Sequence, residues 1–155
     1  MKKKYIIAGA ISLFIAYFLY SSLQTVQPEI NLNSPDWVSL NEASDLARQT
    51  EKLILVDVYE VGCKYCRAMD REVYPDSTVR AVMDPSFVPV KLDGNSEELV
   101  SFNGVESTAS EFAKSKGAYV FPTTLVLDAD GNVINSRTGF MSADELRDFL
   151  YRVNS

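Results

Sequence analysis

The sequence predicts an α/β domain in which helices flank a central mixed β-sheet. Two observations carry this prediction. Short apolar runs rich in β-branched residues alternate with segments that open on helix-capping motifs, as strands alternate with helices in such domains. The last two apolar runs flank a tight turn, so part of the sheet should be antiparallel. A hydrophobic fraction of 46% and a charged fraction of 23% are typical of a globular domain.

The first element, residues 1–23, is predicted to be a transmembrane signal-anchor. Lys2, Lys3 and Lys4 precede an uncharged run at residues 5–23, which as a helix is about 28 Å long and just spans a bilayer. The lysines should hold the N-terminus in the cytoplasm. A cleaved signal peptide has the same basic start, but the large residues at the end of this run do not fit a small-residue cleavage site.

The next segment, residues 24–36, is polar, contains Pro28 and Pro35 and lacks apolar periodicity, so it is predicted to be a linker. Residues 37–155 then form the folded domain. We expect a monomer with one membrane pass in the cytoplasmic membrane, and with its domain on the periplasmic or extracellular side.

The domain opens with a helix and a strand. Ser39 and Glu42 form a capping-box pattern that predicts a helix to about Thr50. The run Leu53–Tyr59 is predicted to be a buried strand, because it is apolar and β-branched. Asp57 is the one charged residue inside that strand, and its burial needs an explanation.

Four further segments follow the first strand. Residues 63–74 have the composition of a helix that Pro75 ends, and residues 77–83 predict a second short helix. Residues 87–92 predict another apolar strand. The polar stretch 94–105 predicts a loop or a broken helix.

The last part of the chain predicts a helix, a β-hairpin and a final helix. Capping boxes at residues 108–111 and 142–145 open the two helices, and Gly117 is placed to end the first. Residues 123–127 and 133–136 are apolar runs on either side of a turn, which predicts an antiparallel hairpin.

Cys63 and Cys66 are the only cysteines and form a C-x-x-C motif. Such a pair is compatible with zinc binding, a structural disulfide or redox catalysis. Zinc is disfavoured because a structural site takes four Cys or His ligands and the chain has no His. A purely structural bridge over three positions closes a very small loop and removes little entropy from the unfolded chain. We therefore predict no metal, and no cofactor other than the Cys63–Cys66 disulfide itself.

Redox catalysis best explains where the pair lies, since a strand turns into a helix there. At a helix N-terminus the free amides stabilise a thiolate, so Cys63 is predicted to be the attacking nucleophile. Cys66, one turn later, can resolve a mixed disulfide after losing its proton. Asp57 is a candidate acid or base for that proton, because burial raises the pKa of a carboxyl; a hydrogen-bonded structural aspartate is the alternative.

Four more residues are candidates for the substrate-binding surface. Lys64 can add a favourable charge beside Cys63 or be a solvated side chain, and Tyr65 can shape the rim. Pro122 follows Phe121 at the start of a strand, where proline forfeits a ladder hydrogen bond, so these two residues can shape a peptide-binding surface.

Together these residues resemble the thioredoxin superfamily. The run LVDVYEVGCKYC, residues 55–66, is similar to its first strand, buried acid and active-site turn, and FPTTLVLDADGNVI, residues 121–134, is similar to its proline loop and closing hairpin. The resemblance covers about Trp37–Val153 and implies a thioredoxin fold.

The resemblance also implies roles for individual residues. Cys63 would be the nucleophile, Cys66 the resolving thiol, Asp57 the buried acid–base group and Pro122 a cis-proline that faces the cysteines, while Phe121 would offer backbone groups to a substrate peptide. The chain departs from the family at Gly62, where the family usually has tryptophan, and in the Lys-Tyr pair of the motif, where Gly-Pro is usual.

The closing run RTGFMSADELRDFLYRV, residues 137–153, is similar to exported, membrane-anchored thioredoxin-like proteins associated with sulfur oxidation and cytochrome c maturation. This resemblance implies an enzyme, a protein-disulfide reductase whose substrates are oxidised protein thiols and which a membrane thiol-reductant partner re-reduces. Two alternatives stay open: a disulfide oxidant or isomerase on the same fold, and a non-catalytic binding or assembly module. The net charge of −6 disfavours nucleic acid as a partner.

Overall fold

The computed structural model describes residues 11–18, 20 and 33–153. The chain divides into two compact units, Met1–Ile30 and Asn31–Ser155. Most of the predicted anchor, residues 1–23, and of the predicted linker, residues 24–36, lies outside the described residues; the part at 11–18 is helical. Within the described residues, no helix has both the length and the apolar character that crossing a membrane requires.

The second unit contains an alternation of helices and strands. Its helices are α1 (Leu40–Thr50), α2 (Lys64–Ala68), which continues into a π-helical turn (Met69–Val73), α3 (Ser77–Ser86), α4 (Ala109–Ser115) and α5 (Ala143–Val153). Its strands are β1 (Leu53–Tyr59), β2 (Phe87–Asp93), β3 (Leu99–Phe102), β4 (Val105–Thr108), β5 (Thr123–Leu127) and β6 (Val133–Thr138).

The central sheet has four strands in the order β2-β1-β5-β6. Strand β1 runs parallel to β2 and antiparallel to β5, and β6 is antiparallel to β5. The predicted α/β fold with a mixed sheet flanked by helices is therefore confirmed. Because β1 is central, its residues Ile54–Val58 are buried, and Asp57 lies opposite Lys91 of β2 and Thr124 of β5.

Alternation along β1 divides the core into two layers, one on each face of the sheet. Ile54, Val56 and Val58 pack with α1, α4 and β3 on one face. Leu55 packs with α3, α5 and the π-helical turn on the other face. Asp57 shares the face of Leu55, so its carboxyl enters the layer that the active-site helix covers.

The prediction for residues 94–105 is wrong in part, because β3 and the start of β4 lie there as an antiparallel hairpin. Asn103 and Gly104 form its turn with φ values of 54° and 77°, the left-handed conformation that two-residue hairpin turns require. The two strands have only four residues each, LVSF and VEST, so the alternation that marks a strand is too short to read.

The predicted capping motifs differ in how completely they form. At α4 the Thr108 hydroxyl accepts from the Glu111 amide at 3.1 Å, and the Glu111 carboxylate accepts from the Thr108 amide at 2.9 Å. At α1 the Ser39 hydroxyl instead donates to the Glu42 carboxylate at 2.8 Å and accepts no amide. The helix is present in both cases, since its buried face supplies most of its stability.

Candidate active site

The two cysteines lie at the junction of β1 and α2 and form a disulfide. Their sulfurs are 2.12 Å apart and their Cα atoms 5.3 Å apart. Cys63 is the N-cap residue of α2, and its sulfur accepts from the Cys66 amide at 3.1 Å. Cys63 is half-buried whereas Cys66 is buried. One sulfur is thus open to a partner and already contacts an amide N–H that can stabilise a thiolate.

Gly62 makes the sharp entry into α2 possible. Its φ is 91°, a conformation that side-chain-bearing residues rarely adopt. The Cys63 amide closes the turn by donating to the Glu60 carbonyl at 3.2 Å. The backbone therefore explains a glycine at the position where the family usually has tryptophan.

Asp57 is fully buried, and neither of its carboxylate oxygens has a hydrogen-bond partner. Burial raises its pKa to about 7 because the charged form loses hydration; the nearby Lys91 charge and the Tyr74 hydroxyl oppose this rise, and Asp70 adds to it. A carboxyl with this pKa exchanges protons near neutral pH. No hydrogen bond joins it to either cysteine.

Two buried hydroxyls accompany Asp57, and sequence reasoning missed both. The hydroxyls of Tyr74, which follows the π-helical turn, and Thr124, which lies opposite Asp57 on β5, also lack a hydrogen bond of standard geometry. Burial, followed by the charge of Asp57, raises the pKa of Tyr74 well above its usual value. Asp57, Tyr74 and Thr124 therefore form a small buried polar cluster, which is uncharged when the Asp57 carboxyl is protonated.

Lys91 and Asp70 complete the surroundings of Asp57, and they were missed as well. They form an ion pair with each other. The sequence held a signal for Lys91, since it is the one charged residue of the predicted strand 87–92, just as Asp57 is in its neighbour. Parallel pairing places these two residues side by side.

Phe121 and Pro122 lie at the same end of the sheet as the cysteines. The peptide bond between them is cis, and the Pro122 carbonyl accepts from the Gly139 amide at 2.8 Å. Pro122 directly precedes Thr123, which pairs with Val58 near the end of β1, and the cysteine turn follows that end. Pro122 is buried and Phe121 half-buried.

Exposed apolar side chains lie in α2 and in the loops at the disulfide end of the sheet. Val61 is 82% exposed, Tyr65 60%, Val120 61% and Phe140 41%. The rings of Tyr65 and Phe140 lie 6.2 Å apart between centroids. The predicted rim residue Tyr65 is therefore part of an apolar surface, whereas Lys64 extends into solvent beside it.

Within the described residues, no group of three or more His, Cys, Asp or Glu side chains could hold a metal ion. Both cysteines are joined to each other. The site therefore combines a cysteine pair, which can undergo thiol–disulfide exchange, with the buried carboxyl of Asp57 in the neighbouring strand β1.

Comparisons with known proteins agree with this geometry. The thioredoxin-like domain family matches residues 40–154. The thiol:disulfide interchange protein DsbD of Vibrio vulnificus is 28% identical over 142 residues, which are 90% of this chain and 22% of that protein. The chain thus spans about a fifth of the length of this curated relative.

Two solved structures show the same fold. The oxidised C-terminal domain of DsbD from Neisseria meningitidis has a TM-score of 0.55 at 20% identity, covering 72% of this chain and 89% of that one. A thioredoxin from Thermus thermophilus has a TM-score of 0.62 at 22% identity, covering 77% and 87%. The predicted resemblance to the thioredoxin superfamily is therefore confirmed, and the chain belongs to the thioredoxin-like domain family.

Proposed function

We propose that this protein is a thiol–disulfide oxidoreductase that reduces disulfides in other proteins. The observation that carries the proposal is the disulfide at the N-terminus of α2, with a half-buried Cys63 and a buried Cys66. The family match and the relative named as a thiol:disulfide interchange protein support it.

The reaction begins from the reduced pair. The Cys63 thiolate attacks one sulfur of the substrate disulfide, and the other substrate sulfur leaves as a thiolate and takes up a proton. Cys66 then loses its proton and attacks the Cys63 sulfur, which releases the second substrate thiolate and closes the Cys63–Cys66 disulfide. Two electrons pass from the cysteine pair to the substrate.

Asp57 serves this sequence as the acid–base group. Cys66 is buried, so its proton needs an acceptor inside the protein. A carboxyl whose pKa is about 7 can take that proton and later return it. Neither oxygen is tied by a hydrogen bond of standard geometry, so both remain available for the proton.

The substrate surface is formed by the cis-proline loop and the apolar rim. The backbone of Phe121 and the buried Pro122 lie at the cysteine end of the sheet, and Tyr65 supplies apolar area beside Cys63. Lys64 adds a positive charge next to the attacking sulfur. Such a surface suits an extended segment of an oxidised protein.

Turnover requires a second partner that returns two electrons and two protons to the disulfide. We propose a membrane thiol reductant for this role and place the domain on the periplasmic or extracellular side of the cytoplasmic membrane. The three lysines before an uncharged run at residues 5–23 support anchoring there. The domain itself acts as a monomer.

The reduction potential of the Cys63–Cys66 pair tests the direction of electron flow. We expect a value of about −270 mV, which is typical of a reductase, when the pair is equilibrated with glutathione and the oxidised fraction is measured by mass spectrometry. A value of about −120 mV would show that the protein is a disulfide oxidant instead. A pair that does not open and close reversibly would rule out both and favour a binding module.

A further inference from the structure

Lys91 is a positively charged residue that lies next to the buried Asp57 in the sheet. It is opposite Asp57 in the parallel register of β1 and β2, and both side chains lie on the sheet face that the π-helical turn covers. Its ammonium nevertheless binds Asp70 of that turn. Among the described residues, Asp57 takes part in no ion pair, and its carboxylate oxygens have no hydrogen bond of standard geometry.

The Lys91 ammonium also lies over two aromatic rings. It lies 5.5 Å from the centroid of the Trp37 ring and 5.2 Å from that of Tyr59. Aromatic faces attract cations, and the attraction grows as water is excluded. The Lys91 side chain is 25% exposed and that of Asp70 39%, so the pair sits at the edge of the interior.

The other groups that face Asp57 are neutral or acidic. Tyr74 follows the π-helical turn, Thr124 comes from β5, and Tyr59 comes from the same strand as Asp57. Asp70 is the other acid that acts on Asp57, and Lys91 is the one cation that does so within the described part of the chain. The position of one ammonium group therefore dominates the charge around the carboxyl.

We propose that Asp70 is a positioning residue for Asp57: by binding the Lys91 ammonium it keeps that charge from pairing with the Asp57 carboxyl. A lysine that paired with Asp57 would hold it ionised and end its exchange of protons near neutral pH. The inference rests on the proposed function, in which Asp57 exchanges a proton with Cys66. Asp70 follows Cys66 by four residues, so both lie on one side of the helix.

The test is a carbon-13 NMR titration of the Asp57 carboxyl in the oxidised full-length chain, where the cysteines do not titrate. We expect Asp70→Asn to lower the Asp57 midpoint by about one pH unit, because the freed ammonium can approach the carboxyl. Lys91→Met should raise it. In the Lys91→Met background, Asp70→Asn should lower the midpoint by less than half as much.

Glu72→Gln is the matched control, because it removes one carboxylate from the same turn and Glu72 contacts Arg71 rather than Lys91. In Glu72→Gln the Asp57 midpoint should equal that of the wild type. Asp70→Glu keeps the carboxylate and should also keep the wild-type midpoint. Trp37 is the one tryptophan and its ring packs against Tyr74, which lies beside Asp57, so its emission is a second probe of the same titration.

Three results would overturn the proposal. They are an unchanged or raised midpoint in Asp70→Asn, an equal decrease with and without Lys91, and a lowered or unchanged midpoint in Lys91→Met. The last can overturn the proposal even if Asp70→Asn does not fold, and Asp70→Glu tests the position of the charge in a folded protein. The titration needs no activity, so it can fail while the cysteine pair still shows the reduction potential of a reductase.

Discussion

Cys63 and Cys66 have different surroundings although only two residues separate them. Cys63 is half-buried at the N-cap of α2, and Cys66 is buried one turn later. The outer sulfur can meet a substrate disulfide, and the inner one can meet only the outer. This asymmetry supports the proposed roles, in which Cys63 attacks and Cys66 resolves.

We expect Cys66→Ala to accumulate mixed disulfides with substrate proteins through Cys63, because the resolving thiol is gone. The measurement is a non-reducing gel of the reduced variant after incubation with an oxidised protein, followed by mass mapping of the linked cysteine. Cys63→Ala is the matched control and should trap little. Equal trapping by the two variants would contradict the assignment.

Asp57 makes stability depend on pH. Its pKa is about 7 in the folded state and about 3.9 in the unfolded chain. Between these values the folded state binds the extra proton, so the free energy of unfolding falls as pH rises through that window and levels off above it. The sequence predicted a buried acid with a raised pKa here, and the pH window follows from the folded-state pKa of about 7.

We expect Asp57→Asn to raise the free energy of unfolding at about pH 8 by roughly 2–4 kcal/mol and to leave it nearly unchanged at about pH 4. Urea denaturation of the oxidised protein at both pH values measures this, with Glu72→Gln as an exposed control. The same substitution should slow resolution of the mixed disulfide. A gain of equal size at both pH values would show that charge is not its cause.

The elements around the site are held together by close packing as well as by hydrogen bonds. Gly94, just after β2, lies against the ring of Phe121, the residue before the cis-proline. A Cβ at Gly94 would lie 2.3 Å from a ring carbon of Phe121 and 2.8 Å from a methyl carbon of Val58. No side chain fits between β2 and the proline loop, so this glycine sets how closely they approach.

We expect Gly94→Ala to destabilise the protein by about 1–3 kcal/mol, because the added methyl overpacks this contact. The displaced Phe121 should also weaken reduction of a protein disulfide more than reduction of a small one. Denaturation and steady-state kinetics measure the two effects. In the Phe121→Ala background, Gly94→Ala should lower the free energy of unfolding by less. An equal loss of stability in both backgrounds would show that the contact with Phe121 is not its cause.

At the scale of the whole molecule, the unit Asn31–Ser155 contains every residue of the candidate site. The predicted role of residues 1–23 is to place the site on one side of a membrane. Location therefore decides which disulfides the protein meets and which reductant reaches it.

We expect a membrane-impermeant maleimide to label Cys63 in intact spheroplasts after mild reduction, since the domain is proposed to face outward. Mass shift on a gel measures labelling, and a variant with both cysteines replaced by serine controls for background. The full-length chain should sediment with membranes and resist alkaline extraction. Labelling that appears only after lysis would contradict the outward orientation.

How much the sequence alone determined differs between local and long-range features. Capping motifs, β-branched runs and turn residues act over a few positions, so they predicted all the central strands, the helix starts and the cysteines at a helix N-terminus. The hairpin of β3 and β4 was not predicted, because strands of four residues are too short to show a readable alternation.

The surroundings of Asp57 were decided only by the tertiary structure. Parallel pairing of β1 with β2 brings Lys91 beside Asp57 from 34 positions along the chain, and the π-helical turn adds Asp70 and Tyr74. No local pattern encodes such contacts, because strand order and register depend on how the whole core packs. The sequence by itself determined which sulfurs and which acid are present, and folding decided the electrostatic field in which they work.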